Sequence, residues 1–220
     1  MRDPKFVKAY ARGVEAIGGT DIYAWHWRVH IGLWAAQTAS RLEGAFVECG
    51  VNFGFLSSAI MEYLDWNSLH RDFFLLDTFA GCDERFVSEE DRAAGVLQHN
   101  DENLRGGFYA QGVDIVRANF AQCPRARIVQ GSIPETLERV TPDKVAYLHL
   151  DMNCSPPEVA ALRHFWDRLV PGAMILLDDY AFFGFGPQKR AMDDFAREHG
   201  VAICAFPTGQ GLIIKPPEPG

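Results

Sequence analysis

The sequence lacks the features that mark several classes of protein. Its five cysteines are scattered and form no CxxC pair, so neither a zinc framework nor a secreted disulfide scaffold is expected. No uncharged apolar run reaches the roughly 18 residues of a membrane span, and residues 1–10 lack the apolar stretch of a signal peptide. Lys plus Arg number 21 against 29 Asp plus Glu, and this net charge of −8 argues against nucleic-acid and anionic-membrane partners. We expect a cytoplasmic protein with reduced thiols.

The chain length and composition are those of one globular domain. It has 220 residues, of which 48% are hydrophobic and 23% are charged, close to the average for folded proteins. We expect a single domain over residues 1–220, with a helical cap at residues 1–43 and a polar insertion at residues 82–108. The insertion is longer than an ordinary connection, so it is either a lid over a site or a solvated loop.

Five short apolar runs predict the strands of a parallel sheet. They lie at residues 45–49, 73–77, 127–130, 145–151 and 173–178. Near-continuous apolar strands that alternate with helical segments are typical of a parallel sheet covered on both faces, which makes the fold class α/β. A helix with Pro156 and Pro157 in its first turn is expected to end at Pro171-Gly172. Residues 201–206 and 211–215 are expected to form a terminal hairpin.

The cap has two features at helical spacing. Trp27 and Trp34 lie on one stripe, which predicts that they cover the sheet. His26 and His30 lie four residues apart and share a helix face. That spacing could hold a metal or supply a base, although the Glu of an HExxH motif is absent between them.

The ends of the first three strands carry signals of a nucleoside site. Ligands of open parallel sheets bind beyond the carboxyl ends of the strands. Gly50 and Gly54 permit a tight turn and a close ligand approach, although the GxGxxG motif of dinucleotide-binding enzymes is absent. Asp77 can accept hydrogen bonds from both hydroxyls of a ribose. Gly131-Ser132 could lie near an adenine edge or could form only a turn.

Three carboxylates follow the fourth and fifth strands, at Asp151, Asp178 and Asp179. Because neighbouring strands lie about 4.8 Å apart, carboxylates at the ends of adjacent strands can share one cation. Oxygen ligands of this kind suit Mg²⁺ or another hard divalent ion. The alternative is that these acids are separate, solvated or helix-capping.

Five motifs occur in a fixed order along the chain. They are Val47-Glu48-Cys49-Gly50-Val51, Asp77-Thr78-Phe79, Gly131-Ser132-Ile133-Pro134-Glu135-Thr136-Leu137, His149-Leu150-Asp151 and Leu177-Asp178-Asp179-Tyr180. Together they resemble the TylF-type macrocin O-methyltransferase family, which belongs to the class I S-adenosylmethionine (SAM) methyltransferases. The similarity runs from about Trp27 to Lys215. It implies a Rossmann-like sheet of seven strands, mostly parallel, with the last strand antiparallel.

The resemblance also implies a function. SAM would be the cofactor, with Glu48 and Gly50 at its methionine end, Asp77 at its ribose and Ser132 near its adenine. The other expected cofactor contacts lie in or beside the same motifs: Cys49, Val51, Gly54, Ser57, Thr78, Phe79, Gly131 and Asp151. Family members methylate sugar hydroxyls of natural products and use magnesium, whose acidic ligands match Asp151, Asp178 and Asp179. The implied partner is a small-molecule hydroxyl acceptor, and a homo-oligomer is left open.

One position departs from the family pattern. The family usually has Asp-x-Asp-x-Tyr after the fourth strand, whereas this chain has Asp151-Met152-Asn153-Cys154-Ser155. Asn153 cannot take a proton as a carboxylate can. If the missing acid normally serves as the base, this chain needs another base, relies on the metal or methylates a different substrate. Asp151 and His149, which point to the same side of the strand, are the candidate catalytic residues. His149 could equally be a core histidine that supports the site.

Two other functions stay open at this point. The chain could be a SAM-binding protein or partner subunit that no longer catalyses, because Asn153 replaces an acid. It could also be a nicotinamide oxidoreductase, although the absent GxGxxG motif argues against this. An aromatic cluster after the fifth strand could line an acceptor pocket, form a subunit contact or pack in the core; its members are Tyr180, Phe182, Phe183 and Phe185.

Overall fold

A seven-stranded mixed sheet forms the centre of the molecule. The computed structural model describes residues 1–217, so the last three positions of the expected 1–220 domain lie outside the described residues. The strands are β1 Ala45–Cys49, β2 Phe73–Asp77, β3 Ala126–Gln130, β4 Val145–Leu150, β5 Leu169–Leu177, β6 Cys204–Ala205 and β7 Gly211–Ile214. Their order in the sheet is β3-β2-β1-β4-β5-β7-β6, and β7 runs antiparallel to both of its neighbours. The predicted α/β sheet with an antiparallel last strand is confirmed.

Eight α-helices flank this sheet within residues 1–217. They are α1 Pro4–Ala16, α2 His26–Ala39, α3 Phe55–Leu64, α4 Glu89–Ala93, α5 Val96–Arg105, α6 Asp114–Asn119, α7 Ser155–Trp166 and α8 Gly186–Glu198. The expected cap contains α1 and α2, and the expected insertion contains α4 and α5. No helix in the described part of the chain is long and apolar enough to cross a membrane.

Every side chain of β1 and β4 is buried, because helices cover both faces of the sheet. Successive strand residues point to opposite faces, so Phe46 belongs to the core under the cap and Val47 to the core under α7 and α8. The second core also contains Phe165 and Phe195 from those two helices. This burial on both faces explains the near-continuous apolar strands.

The chain reverses its direction across the sheet between β1 and β4. From β1 it continues outward to β2 and β3, and then returns to form β4 on the other side of β1. The loops after β1 and β4 therefore diverge and leave a crevice at the carboxyl edge of the sheet. Gly50 lies at this point with φ +89°, and a Cβ there would overlap the main-chain carbonyl of Asp151. Only glycine permits the two loops to lie this close.

The prediction that Pro171-Gly172 ends a helix is wrong. Helix α7 ends at Trp166, and both residues lie inside β5. Between the pairs Val145↔Leu169 and Tyr147↔Met174 the register of β4 and β5 shifts, so β5 carries extra residues there. Pro171 lacks an N–H but is tolerated at such an irregularity, because no regular ladder hydrogen bond is required.

The prediction that Trp27 and Trp34 cover the sheet is also wrong. These side chains are 63% and 47% exposed. The buried face of α2 is instead formed by smaller residues, with Val29, Leu33 and Ala36 among them. Small side chains bring the helix close to the sheet, whereas two indoles would hold it away.

The histidines of α2 have aromatic neighbours. His26 stacks on Tyr10 with ring centroids 4.1 Å apart, and His30 lies edge-on to Phe6 and Trp27. Within the described chain, neither histidine belongs to the group of side chains that could hold a metal.

Two helix-interior glycines of the cap provide a test of how it docks. A Cβ at Gly13 of α1 would lie 2.8 Å from the main-chain oxygen of Phe55, whereas one at Gly32 of α2 would meet only the tip of the Leu56 side chain at 2.7 Å. Alanine favours a helix by up to about 1 kcal/mol over glycine, but overpacking against a rigid backbone costs about 1–3 kcal/mol.

We therefore expect Gly13→Ala to destabilise the protein and Gly32→Ala to be neutral or stabilising. Urea unfolding of both variants beside the wild type measures the difference. Equal stabilities of the two variants would contradict the close contact between α1 and α3.

Candidate functional site

A cavity of about 680 Å³ lies at the carboxyl edge of the sheet. Loops after five strands, the cap and the insertion all contribute to its walls. Most of the expected cofactor contacts line it: Glu48, Gly50, Val51, Asp77, Thr78, Gly131, Ser132 and Asp151. The sequence motifs that are far apart in the chain are therefore brought together.

Four expected cofactor contacts do not line this cavity. Cys49 and Phe79 are core residues, with exposures of 0% and 2%, and burial raises the pKa of the Cys49 thiol well above its usual range. Ser57 is buried in α3, and its hydroxyl has no hydrogen-bond partner among the described residues. Gly54 lies against the ring of Phe120, where a Cβ would be only 2.6 Å away.

The carboxylate of Asp77 braces the glycine loop, which comprises residues 50–54 between β1 and α3. One oxygen accepts hydrogen bonds from the backbone N–H groups of Val51 and Asn52, at 2.7 and 2.8 Å. The other accepts the N–H of Phe79 at 2.7 Å. The Thr78 hydroxyl lies 3.4 Å from the same oxygen but also donates to the carbonyl of Gly81 at 2.6 Å. Because carboxylate oxygens can accept about four hydrogen bonds, capacity for a ligand hydroxyl is left. Asp77 therefore fixes the shape of the loop and can still contact a ligand.

The insertion at residues 82–108 is attached to the sheet loops near both of its ends. The Ser132 hydroxyl donates to Asp83 at 2.6 Å, and Arg85 donates to both Asp83 and Glu135. These hydrogen bonds from Arg85 and Ser132 hold the pKa of Asp83 below its ordinary value. Ser132, expected near an adenine, thus also anchors the insertion.

Two further anchors hold the rest of the insertion. The side-chain amide of Asn52 donates to the carbonyl of Phe108 at 2.9 Å and accepts the N–H of Ala110 at 2.8 Å. In the middle, the Asp91 carboxylate accepts hydrogen bonds from the hydroxyl and the N–H of Ser155, at 2.7 and 3.1 Å. Ser155 is the first residue of α7, so the insertion caps that helix.

The strand-end acids meet a positive charge from the cap. One nitrogen of Arg28, Nη2, lies 2.6 Å from Oδ2 of Asp178 and 2.7 Å from Oδ1 of Asp179. The other carboxylate oxygen of Asp178 accepts a hydrogen bond from Gln210 at 2.9 Å. Burial opposes ionisation of Asp178, but the Arg28 charge and the contact with His149 outweigh it and hold its pKa well below the usual range.

His149 lies between two carboxylates. The β1–β4 register places Glu48 directly beside it, and Nδ1 of His149 is 2.9 Å from Oε1 of Glu48. On its other side, Nε2 is 3.6 Å from Oδ1 of Asp178 and has no hydrogen-bond partner. Burial alone would lower the pKa of His149, but its contacts with Asp178 and Glu48 raise it to about 10. The ring therefore carries a positive charge near neutral pH.

The remaining two acids are harder to ionise. Burial and the charges of Asp178 and Asp179 raise the pKa of Asp151 well above its usual range. Burial and the charge of Asp178 likewise raise the pKa of Asp179 to about 6, against the opposing effect of Arg28. A cluster that resists full ionisation is one that a further cation would stabilise.

The ends of β4 and β5 bring together donor atoms that fit a divalent cation. Ligand atoms of His149, Asp151 and Asp178 lie within 4.8 Å of one another, and the buried Nε2 of His149 is without a partner. The carboxylate oxygens suit a divalent ion, and Nε2 of His149 would join them only after losing its proton. Asp179 lies outside this group, because its carboxylate is turned to Arg28.

Part of the cavity wall, called the aromatic wall below, is formed by three phenylalanines. Phe108, Phe182 and Phe185 line it, together with Asn153, which has φ +59°. The other two members of the expected aromatic cluster do not line the cavity. Tyr180 is buried and donates its hydroxyl to Asp193, and Phe183 is 96% exposed.

Three residues in or next to the site were not predicted from the sequence. Arg28 lies in a cap helix, Gln210 in the terminal hairpin and Glu158 on α7. Glu158 is buried; its Oε1 accepts hydrogen bonds from the N–H of Met152 and the amide of Gln188, at 3.0 and 2.7 Å. It thereby ties the loop after β4 to α8. Only the acidic strand ends could have suggested that a basic partner was needed.

The sheet order, the glycine loop at the strand-order reversal and the acids at the strand ends define a class I methyltransferase fold. The family model of macrocin O-methyltransferases (TylF) matches residues 34–205. The chain belongs to this family, and the resemblance seen in the motifs is confirmed. This membership also disfavours the nicotinamide oxidoreductase alternative.

Comparisons with individual proteins support this family assignment. The chain is 26% identical over 174 residues to the 8-demethyl-8-(2,3-dimethoxy-alpha-L-rhamnosyl)-tetracenomycin-C 4'-O-methyltransferase of Streptomyces olivaceus, a match covering 74% of this chain and 62% of that protein. The match thus spans less than two thirds of the relative's length. Among solved structures, the O-methyltransferase NovP has a TM-score of 0.74 at 19% identity, with 94% of this chain and 89% of that chain covered. An O-methyltransferase from Bacillus cereus in complex with SAH has a TM-score of 0.56 at 13% identity, with 98% and 92% covered. Both structures share the fold.

The buried Glu158 gives a pH-dependent prediction. Burial raises its pKa from 4.5 to about 8. Between these values the unfolded chain is ionised at this residue while the folded chain is protonated, so stability falls as the pH rises through this window, by up to about 1.4 kcal/mol per pH unit. Glu158→Gln keeps the acceptor oxygen and removes the ionisation.

We expect the free energy of unfolding of the Glu158→Gln variant, relative to wild type, to rise steadily from about pH 5 to about pH 8 and then to level off. Urea unfolding across that pH range measures it. All other titrating groups are common to both proteins, so parallel pH profiles would contradict the assignment.

Proposed function

We propose that this chain transfers the methyl group of SAM to a hydroxyl of a small molecule, either a sugar or a natural-product acceptor. The observation that supports this most is that one cavity holds both the glycine loop with Asp77 and the acids Asp151, Asp178 and Asp179. Membership in the TylF family supplies the reaction type. The methyl group of a sulfonium is already electrophilic, so the protein mainly needs to align an oxygen with it, which can lower the barrier by roughly 7–11 kcal/mol.

The methionine end of SAM is proposed to lie at the glycine loop. Oε2 of Glu48 is buried and has no hydrogen-bond partner among the described residues, while Oε1 is engaged by His149. The ammonium group of SAM is a donor that would satisfy this oxygen. Gly50, which has no side chain, lets a ligand approach the backbone. Asp77 keeps capacity for a ribose hydroxyl beyond its backbone contacts.

A divalent cation, magnesium by the family pattern, is proposed at Asp151, Asp178 and Asp179. When bound, such a cation would lower the pKa of the attacking hydroxyl. The buried Nε2 of His149 has no hydrogen-bond partner among the described residues, which supports a polar ligand on the same side of the cavity as these acids. The three carboxylates would orient acceptor oxygens toward the methyl group.

A base must accept the proton of the acceptor hydroxyl when the methyl group is transferred. Asn153 cannot accept it, although it lines the cavity at the position where the family usually has an acid. We propose Asp151 as the proton acceptor in the cation-bound site, where the cation would lower its raised pKa, because its carboxylate lines the cavity and makes no side-chain hydrogen bond within residues 1–217. His149, positively charged between Glu48 and Asp178, supports the ionised state of its neighbours.

The aromatic wall suggests what the acceptor looks like. Phe108, Phe182 and Phe185 present apolar surface to the cavity that the acids also line. A natural-product acceptor with a ring and a hydroxyl would bury its apolar part there and direct its oxygen to the carboxylates.

Asn153 favours one alternative, a SAM-binding protein that does not catalyse. The loss of a carboxylate that normally accepts a proton would leave cofactor binding intact. Cofactor binding and turnover therefore need to be measured separately.

The first prediction concerns the cofactor. We expect SAM and its demethylated product to bind with 1:1 stoichiometry in calorimetry, with or without magnesium, and NAD to give no heat. We also expect methyl transfer from labelled SAM to at least one member of a panel of glycosylated and phenolic hydroxyl compounds. Absence of SAM binding would refute the proposed function, whereas tight binding without transfer would favour the non-catalytic alternative.

The second prediction concerns the strand-end acids. Asp178→Asn should lower turnover by about 100-fold or more, because a ligand charge and its hydrogen-bond geometry are lost, while SAM affinity stays nearly unchanged. Asp193→Asn is the matched control, since its carboxylate bonds Tyr180 and Lys189 away from the cavity. Initial rates with and without EDTA measure the effect. Unchanged turnover of Asp178→Asn would remove the cation from the mechanism.

A further inference from the structure

Arg28 is the one cap residue whose charge reaches the strand-end acids in the described structure. Its Nη2 atom contacts three oxygens at once: the main-chain oxygen of Asp178 at 2.6 Å, Oδ2 of Asp178 at 2.6 Å and Oδ1 of Asp179 at 2.7 Å. The side chain is only 17% exposed, and its guanidinium lies 5.1 Å from the ring centre of Phe182. Arg28 is thus a half-buried cation that is held to the strand-end acids through its Nη2 atom.

The position of Nη2 offers part of the oxygen coordination that a metal would need. Three oxygens converge on one point, and two of them come from carboxylates assigned to a divalent cation. Mg²⁺ takes oxygen ligands at about 2.0–2.1 Å in octahedral geometry. A metal ion at the position of Nη2 and the guanidinium exclude each other, because they would overlap and their charges would repel.

We propose that Arg28 is an internal cation that closes the acidic site, and that a divalent cation binds only when Arg28 withdraws. Metal loading and the position of α2 are thereby coupled. The inference rests on the cation site of the proposed function, which it refines by naming the group that the cation must displace.

The charge balance supports this exchange. In the described structure Arg28 lies against Asp178 and Asp179, and His149 lies against Glu48 and Asp178. Asp151 is the fourth carboxylate of this edge and makes no side-chain ion pair within residues 1–217. Replacing a monovalent group by a dication moves the cluster closer to neutrality.

The exchange would also affect residues that lie away from the acids. Trp25, at the N-terminal end of α2, packs edge-on against Phe55 of α3 and against Phe108 at the end of the insertion. A shift of Arg28 and its helix would therefore be transmitted to the glycine-loop helix and to the aromatic wall. The cap would respond to the metal state of the site.

Metal binding without any reaction provides the test. Mn²⁺ affinity is measured on the full chain from the electron paramagnetic resonance signal of free Mn²⁺, in the absence of SAM and acceptor. The variants are Arg28→Gln and Arg28→Met, which remove the charge and keep much of the side-chain volume. Arg163→Gln is the control, because Arg163 pairs with the exposed Glu198 outside the cavity. Thermal unfolding verifies that each variant is folded.

We expect both Arg28 variants to bind Mn²⁺ about tenfold or more tightly than wild type, a difference of about 1.4 kcal/mol or more. The control should match wild type. Saturating Mg²⁺ should also speed amide hydrogen exchange in α2 of wild type more than in Arg28→Gln. Unchanged or weaker Mn²⁺ affinity in both Arg28 variants, or an equal gain in the control, would overturn the inference.

Failure of the proposed exchange can be distinguished from failure of the proposed function. A wild-type enzyme that turns over equally well in EDTA would remove the cation from catalysis, yet the comparison of Mn²⁺ affinities would still hold. Conversely, metal-dependent turnover with unchanged Mn²⁺ affinity in the variants would leave the proposed function and refute the exchange.

Discussion

Repulsion among buried carboxylates governs the architecture around the cavity. Two like charges about 4 Å apart repel by about 4 kcal/mol at the effective dielectric of a protein surface, and burial increases the penalty. Asp178 remains ionised because Arg28 and Gln210 bind it. Asp151, which has no such partner, holds its proton much more strongly. The cap is therefore more than a cover for the apolar face of the sheet, since it supplies the charge that lets the acids lie side by side.

The sheet brings these charges together through its register and its reversal of strand order. Parallel pairing of β1 and β4 aligns Glu48 with His149, so the ion pair is fixed by backbone geometry. The reversal opens the loops on either side, and Gly50 permits the close approach of the β4 loop. The same edge thus offers a backbone surface for one ligand and a cluster of carboxylates for another. Their separation is set by rigid strands, which keeps a reacting pair in a fixed geometry.

The sequence was sufficient for the sheet and for the acidic strand ends, and insufficient for what surrounds them. Apolar runs followed by an acid or a glycine mark strand ends directly, and Asp77 and Asp178 were found in this way. Arg28 could not be found, because it depends on the angle at which a cap helix crosses the sheet, and helical periodicity does not encode this angle. The same limit explains Trp27, because two stripes of α2 had the right spacing and only packing chose between them. The irregular start of β5 was missed because Pro171 normally ends an element.

The anchoring of the insertion has a consequence for binding thermodynamics. Asn52 holds its last residues, Ser132 holds its first, and Asp91 holds its middle to α7. Fixing the backbone of a flexible segment costs roughly 1–2 kcal/mol per residue. In this protein the insertion is already ordered by folding, so the entropy cost is not part of ligand binding. Contacts with a ligand therefore contribute to affinity without first having to order this part of the cavity wall.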